Sequence, residues 1–188
     1  MTDGTRYAVI YADPPWSFKT YSDKGKGRSS EAWYDCMSLE DIKAFSVIDL
    51  AAQDCVLLMW VTDPMLQAGL EVITAWGFRY KTVGFYWVKT PTTWFGNGYW
   101  TRANPEMCLL ATRGHPHRIS AGVRKLVEAP RREHSRKPDE VYERIEQLLS
   151  GPYLELFARV RRPGWDAYGH EVDSGPAVRR WNTKMEVR

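Results

Sequence analysis

The chain has 188 residues, a length that predicts one domain with its own hydrophobic core. Hydrophobic residues make up 44% and charged residues 26% of the sequence, a composition that excludes a disordered chain. The 26 lysines and arginines and the 23 aspartates and glutamates give a net charge of +3, which is compatible with a nucleic-acid partner but too small to imply one.

The cysteine content argues against a disulfide-linked protein, and the length of the apolar runs argues against a transmembrane helix. Cys36, Cys55 and Cys108 are an odd number without close pairing, and we expect free thiols in a reducing compartment, two of them buried at Cys55 and Cys108. No set of four short-spaced ligands for zinc occurs. The longest strongly apolar run, 56–61, is far shorter than the ~20 residues that span a bilayer. No charged-then-apolar leader begins the chain, and we expect a soluble, cytoplasmic protein without membrane contact.

Short apolar segments alternate with amphipathic segments along the chain, a pattern that predicts an α/β sheet with helices on its faces. In the first half we expect strands over 7–11 and 55–61. Between them we expect a helix capped by Ser38, with Leu39, Ile42 and Phe45 on its apolar face. After the second strand we expect a helix with Asp63 as N-cap, Pro64 at its first position and Gly77 at its end. In the second half we expect strands over 83–88 and 106–112, a short strand near 126–127, a helix opened by Pro138, and a last strand over 153–158. The domain should occupy 1–172, with a loosely ordered tail over 173–188.

A stiff turn follows the first predicted strand, where ligands of open α/β sheets bind. In Asp13-Pro14-Pro15-Trp16, two prolines fix the backbone and hold the Asp13 and Pro14 carbonyls outward beside the Asp13 carboxylate. Such acceptors next to the flat face of Trp16 suit a planar ring with an exocyclic amino group, such as adenine or cytosine. The alternative is a purely structural turn that ends in a buried tryptophan.

Several further motifs occur in a fixed order over residues 7–171. They are Tyr34-Asp35-Cys36-Met37-Ser38, Leu58-Met59-Trp60-Val61-Thr62, Trp87-Val88-Lys89-Thr90, Ser135-Arg136-Lys137-Pro138-Asp139-Glu140 and Glu155-Leu156-Phe157-Ala158-Arg159. Together with Asp-Pro-Pro-Trp, these motifs resemble the MT-A70 family of adenine methyltransferases. The resemblance implies a single-domain, circularly permuted Rossmann-like fold with a mostly parallel sheet, S-adenosylmethionine as methyl donor, and methylation of the 6-amino group of adenine.

The resemblance also implies the roles of individual residues. Asp13, Pro14, Pro15 and Trp16 would form the catalytic motif, with the Asp13 carboxylate and the Pro14 carbonyl accepting hydrogen bonds from the amino group. The cofactor would contact Asp13, Pro15, Lys137, Arg159, Arg161, Arg162, His170 and Glu171, although the family usually has an amide pair at the last two positions. Only twelve residues precede Asp13, so the wall that longer family members place before the catalytic strand would be missing or rebuilt. The substrate base would meet Trp16, Tyr34, Arg102, Asn104 and Glu106.

The expected partner is nucleic acid. Basic stretches at 24–28 and 113–125, with Trp33, Trp94 and Trp100, are typical of a phosphate track with stacking aromatics. DNA is favoured because small stand-alone members resemble the bacterial and phage type. An RNA adenine methyltransferase and a catalytically silent nucleic-acid-binding subunit remain the alternatives. Specificity would come from the long loops, from a second copy of the chain in a homodimer, or from a partner protein.

Overall fold

The computed structural model describes residues 5–17, 36–93, 95–96, 100–132 and 136–169. Strands occupy Tyr7–Ala12 (β1), Ala51–Val61 (β2), Arg79–Thr90 (β3), Glu106–Arg113 (β4), Leu126–Pro130 (β5), Tyr153–Leu156 (β6) and Trp165–Tyr168 (β7). Helices occupy Leu39–Ala44 (α1), Leu66–Ala75 (α2) and Asp139–Leu148 (α3). The strands form one seven-stranded sheet in the order β5-β3-β4-β2-β1-β6-β7.

The sheet is mostly parallel, which confirms the predicted Rossmann-like fold class. Strand β1 lies parallel to β2 and β6, β6 to β7, and β3 to β5, whereas β4 runs antiparallel to both β2 and β3. The carboxyl ends of six strands and the amino end of β4 therefore share one side of the sheet, which we call the carboxyl edge. Ligands of open α/β sheets bind beyond this edge.

Two hydrophobic cores lie on opposite faces of the sheet, because successive strand side chains point to opposite sides. In β1, Ile10 belongs to the core that also contains Ile42 of α1 and Val72 of α2. Its neighbour Tyr11 belongs to the second core, with Ile145 of α3. The prediction of helices on both faces is therefore confirmed.

Two details of the element predictions were wrong. Asp63 does not cap α2: residues Asp63–Met65 form a 3-10 turn with Thr62 as N-cap, and the α-helix begins only at Leu66. Short 3-10 turns are common at helix starts, and Pro64 fits the first turn of either kind. Strand β7 was not predicted, since the strand over 153–158 was expected to be the last; Trp165–Tyr168 offers only two inward positions, Trp165 and Ala167.

The structure also bears on the expectations for the cysteines, for the end of α2 and for membrane-spanning helices. Cys55 and Cys108 are free thiols and are buried, as predicted, whereas Cys36 is half-buried. Gly77 follows α2 with a φ of +80°, the left-handed conformation expected where a helix ends. Within the described ranges, no helix combines the length and the apolar character needed to cross a membrane. The predicted tail over 173–188 lies outside the described residues.

Candidate active site

The Asp-Pro-Pro-Trp turn projects from the end of β1 at the carboxyl edge. The Asp13 side chain remains 23% exposed, directly after the fully buried Ala12. The Pro14 carbonyl accepts a hydrogen bond of 2.8 Å from the Trp16 N–H, and the Pro15 carbonyl accepts one of 3.0 Å from the Met37 N–H. The expectation that the Pro14 carbonyl is held wholly outward is corrected, because Trp16 supplies the first N–H after two proline-restricted residues and bonds back to it. One lone pair of that carbonyl oxygen remains.

Trp16 packs into the protein instead of lying over the turn. The residue is only 7% exposed, and its Nε1 donates a hydrogen bond of 3.0 Å to the Trp60 carbonyl. The Trp60 Nε1 in turn donates one of 2.6 Å to the Tyr11 hydroxyl. These bonds join the turn to β2 and β1, so the structure gives Trp16 an anchoring role. Stacking of Trp16 on a base stays a prediction.

Four charged side chains meet beside the turn, and we call them the charged cluster: Asp13, Lys89, Glu106 and Lys137. Lys137 Nζ lies 2.8 Å from Asp13 Oδ2 and 3.3 Å from Glu106 Oε2. Lys89 Nζ lies 2.7 Å from Glu106 Oε1. The cluster thus alternates two carboxylates with two ammonium groups, contributed by the ends of β1, β3 and β4 and by the start of α3.

The pairing in the charged cluster favours the charged forms of its buried members. Burial alone would lower the pKa of Lys137, but the carboxylates of Asp13 and Glu106 outweigh it and raise that pKa. Burial alone would raise the pKa of Glu106, but the charges of Lys137 and Lys89 outweigh it and lower that pKa. Both groups are therefore ionised at neutral pH. Lys137 also places its Nζ 5.4 Å from the centroid of the Trp60 ring.

Asn104 fixes the loop between β3 and β4. The Lys89 N–H donates to Asn104 Oδ1 at 2.7 Å, and Asn104 Nδ2 donates to the Lys89 carbonyl at 2.9 Å. Asn104 is buried, so its two bonds hold the loop against β3 at the point where Lys89 joins the charged cluster. The predicted contact of Asn104 with substrate stays a prediction.

A further buried carboxylate, Glu155, lies near the end of β6. The Tyr142 hydroxyl donates a hydrogen bond of 2.8 Å to Glu155 Oε1, and the Arg162 guanidinium lies 4.8 Å from the centroid of the Tyr142 ring. Burial raises the pKa of Glu155 to about 7, although the Tyr142 hydrogen bond opposes that shift. Sequence reasoning assigned no role to Glu155, although this residue begins one of the motifs quoted above. The available signal was a single acidic residue inside an apolar strand, Tyr-Leu-Glu-Leu.

The remaining predicted site residues are distributed as follows. Arg159 is half-buried just after β6, Arg161 is exposed, and Arg162 lies against Tyr142. Arg102 is exposed on the loop between β3 and β4. Tyr34, His170 and Glu171 lie outside the described residues. The structure therefore brings together Asp13, Glu106 and Lys137 from the predicted set, and adds Lys89.

The seven-stranded sheet, with its single antiparallel strand in the described part of the chain, has the Rossmann-like fold of a methyltransferase. Residues 7–171 match the family model MT-A70. The chain belongs to the MT-A70 family, and the resemblance seen in its motifs is confirmed.

Individual relatives differ in how much of their own length the match covers. The chain is 32% identical over 185 residues to the type II methyltransferase M.MunI of Mycoplasma sp., and this match covers 89% of the chain and 78% of that protein. It is 30% identical over 182 residues to the N(6)-adenosine-methyltransferase MT-A70-like protein of Drosophila melanogaster, covering 92% of the chain and 28% of the relative. It is 29% identical over 177 residues to the N(6)-adenosine-methyltransferase catalytic subunit METTL3 of Homo sapiens, covering 89% of the chain and 28% of the relative.

Proposed function

We propose that this protein transfers a methyl group from S-adenosylmethionine to the 6-amino group of adenine in DNA. The observation that carries the proposal is the Asp13 carboxylate, which stands at the carboxyl edge on a rigid turn and is oriented by Lys137 at 2.8 Å. DNA is favoured over RNA because the match covers 78% of a type II methyltransferase, a kind of enzyme that modifies DNA, but only 28% of the N(6)-adenosine-methyltransferases.

The residues at the carboxyl edge fit S-adenosylmethionine by their chemistry. The amino-acid part of this cofactor carries one carboxylate and one ammonium group, and the edge offers the Lys137 ammonium beside the Asp13 carboxylate as partners of opposite charge. The Thr62 hydroxyl, at the end of β2, is buried and has no hydrogen-bond partner among the described residues. A buried polar atom without a partner is expected where a ligand completes the site. Lys137, Asp13 and Thr62 would hold the cofactor, which supplies an electrophilic methyl group when bound.

The chain's own contribution to the reaction is to accept hydrogen bonds from the substrate amine. The lone pair of the adenine amino nitrogen is delocalised into the ring, which makes this nitrogen a poor nucleophile. Acceptors for its two N–H groups localise that lone pair and stabilise the positive charge that develops on nitrogen. Lys137 engages Asp13 Oδ2, so Oδ1 is the carboxylate oxygen that the amine would meet, with the free lone pair of the Pro14 carbonyl as second acceptor.

The proposal predicts that Asp13→Asn lowers the rate of methyl transfer by about 100- to 1000-fold, the loss typical when one preorganised group that stabilises developing charge is removed. Asp49→Asn is the matched control, because Asp49 is exposed in the turn before β2, at the opposite edge of the sheet. The measurement uses labelled S-adenosylmethionine with unmethylated DNA and with RNA, followed by nucleoside mass analysis. Thermal unfolding verifies that both variants are folded.

Each result of this experiment decides between functions. N6-methyladenine in DNA, lost in Asp13→Asn and retained in Asp49→Asn, supports the proposal. Product in RNA alone supports the second candidate, an RNA adenine methyltransferase, which the identities of 29% and 30% to N(6)-adenosine-methyltransferases favour. Product in neither polymer, together with no heat of cofactor binding, indicates a catalytically silent subunit. A folded Asp13→Asn variant with wild-type activity removes Asp13 from the proposed role.

A further inference from the structure

The loop between β3 and β4, residues 91–105, presents an aromatic side chain to solvent in an unusual conformation. Trp100 is fully exposed, and its φ of +43° lies in the left-handed region. Tryptophan is rarely left wholly in water, and a bulky residue with positive φ is uncommon except at sites where the surrounding structure imposes it. Phe95, in the same loop, is 52% exposed. The two features together indicate a contact surface for a partner.

This loop is attached firmly to the candidate active site. Gly96 and Ala103 pair across it, with the Gly96 N–H donating to the Ala103 carbonyl at 2.7 Å. Asn104 then makes its two hydrogen bonds to the Lys89 backbone, and the next strand begins at Glu106 inside the charged cluster. Trp100 therefore lies between two strands, β3 and β4, whose adjoining ends contribute Lys89 and Glu106 to the charged cluster beside Asp13.

The stretch of sequence that contains this loop has basic but no acidic residues, which favours a negatively charged partner. No acidic residue occurs anywhere between Glu71 and Glu106, whereas Lys89 and Arg102 lie in the later part of this stretch. Arg102, two residues after Trp100, is exposed. An aromatic tip on a stretch without negative charge matches a polyanion that contains flat rings, which is the chemistry of nucleic acid.

We propose that Trp100 enters the DNA duplex at the position from which the target adenine is displaced, and stacks on the bases that the adenine leaves. This inference rests on the proposed function, since an enzyme that modifies the 6-amino group of a paired adenine must first take that base out of the stack. Inserted apolar side chains are a known means of holding unstacked steps apart. Trp100 is thus a positioning residue: it keeps the duplex open while Asp13 meets the base.

The test compares one DNA in two forms, unmethylated duplex DNA and the same DNA after heat denaturation, so that no recognition sequence has to be known. Trp100→Ala should lower kcat/KM on the duplex by about ten- to a hundredfold, the loss expected for one aromatic–base stacking contact, and should leave the rate on denatured DNA near wild type. Trp100→Phe should restore most of the duplex activity. Ile119→Ala is the matched control, because Ile119 is also an exposed apolar residue but lies elsewhere: its backbone N–H donates a hydrogen bond to the carbonyl of Leu148, at the end of α3.

Several outcomes would overturn the inference without touching the proposed function. These are an equal loss on both forms of DNA, no loss on the duplex, or a wild-type enzyme that methylates only denatured DNA. Sedimentation velocity provides a further check: if Trp100→Ala converts a dimer into a monomer, the surface binds a second copy of this chain instead. A wild-type protein that methylates neither form of DNA contradicts the proposed function itself.

Discussion

Lys137 is buried between two carboxylates, and its ammonium group balances part of the negative charge that Asp13 and Glu106 bring into the protein. Its side chain is only 8% exposed and that of Glu106 only 12%. A buried ion pair adds little net stability, because desolvation offsets much of the attraction, but removal of one partner leaves an uncompensated charge. Lys137 therefore has a structural role that is separable from any contact with cofactor.

Replacement of Lys137 by methionine should lower the free energy of unfolding by about 3 to 5 kcal/mol at pH 7, the usual penalty for breaking a buried pair. Urea unfolding of the protein without added cofactor measures this loss. Lys81→Met is the control, because Lys81 is exposed on β3. The double variant Lys137→Met, Asp13→Asn should recover part of the lost stability, since Glu106 and Lys89, the two charges that remain, are still paired with each other. A Lys137→Met protein as stable as wild type would contradict the buried pairing.

At the scale of secondary structure, local patterns predicted the elements that have clear boundaries. Ser38 caps α1 with its side chain accepting from the Asp41 N–H, and α3 begins after Pro138 with Asp139 and Glu140 in its first turn, both as the sequence indicated. Strands β2 and β3 extend beyond the predicted apolar runs, because backbone pairing continues past them: Ala51 of β2 pairs with Tyr7 of β1, and the exposed Arg79 of β3 pairs with Thr112 of β4. Backbone pairing at the ends of a strand leaves little trace in hydrophobicity.

The sequence identified most residues of the charged cluster, but it did not predict which of them contact each other. Asp13 and Lys137 were identified from the sequence, but they are 124 positions apart, and their 2.8 Å contact depends on the placement of α3 beside β1. Lys89 lay within a noticed motif without an assigned role, because a single lysine in a strand carries no local signal for an ion pair. The stacking and cofactor roles assigned to Trp16, Arg159 and Arg162 stay predictions.

Asn104 attaches the loop between β3 and β4 to the end of β3 by two hydrogen bonds. Asn104→Ala removes both hydrogen bonds to the Lys89 backbone and leaves two backbone groups without these partners, an expected loss of about 1 to 3 kcal/mol. Because the effect is local, amide hydrogen exchange followed by mass spectrometry is the appropriate measurement: the Lys89 amide should exchange faster than in wild type. Asn104→Asp retains the acceptor and should protect that amide better than alanine does. Unchanged exchange in Asn104→Ala would show that the loop is held by other contacts.

At the scale of the whole molecule, α3 covers one face of the sheet, and the core on that face depends on how α3 is joined to the strands. Val141 and Ile145 of α3 are fully buried against the sheet. The one buried polar link between α3 and β6 in the described part of the chain is the hydrogen bond from Tyr142 to Glu155. A carboxyl group at this place makes the stability of the fold sensitive to pH.

The direction of that sensitivity follows from the raised pKa of Glu155. Burial raises it from 4.5 to about 7; Asp13 adds to the increase, whereas the Tyr142 hydrogen bond and the charges of Arg136 and Arg162 oppose it. A carboxyl whose pKa is higher in the folded than in the unfolded state stabilises the fold fully below pH 4.5, and this contribution is lost as the pH rises through about 7. Ionised Glu155 is thus a destabilising group at pH 8.

Glu155→Gln retains the shape of the side chain and removes its titration. Relative to wild type, the variant should gain on the order of 3 kcal/mol in unfolding free energy between pH 4.5 and pH 8, because one pKa unit corresponds to about 1.4 kcal/mol. Urea unfolding of both proteins at several pH values measures this difference. Glu143→Gln, at an exposed position of α3, should show no such change with pH. A constant difference between Glu155→Gln and wild type would mean that Glu155 ionises as easily in the folded protein as in the unfolded chain.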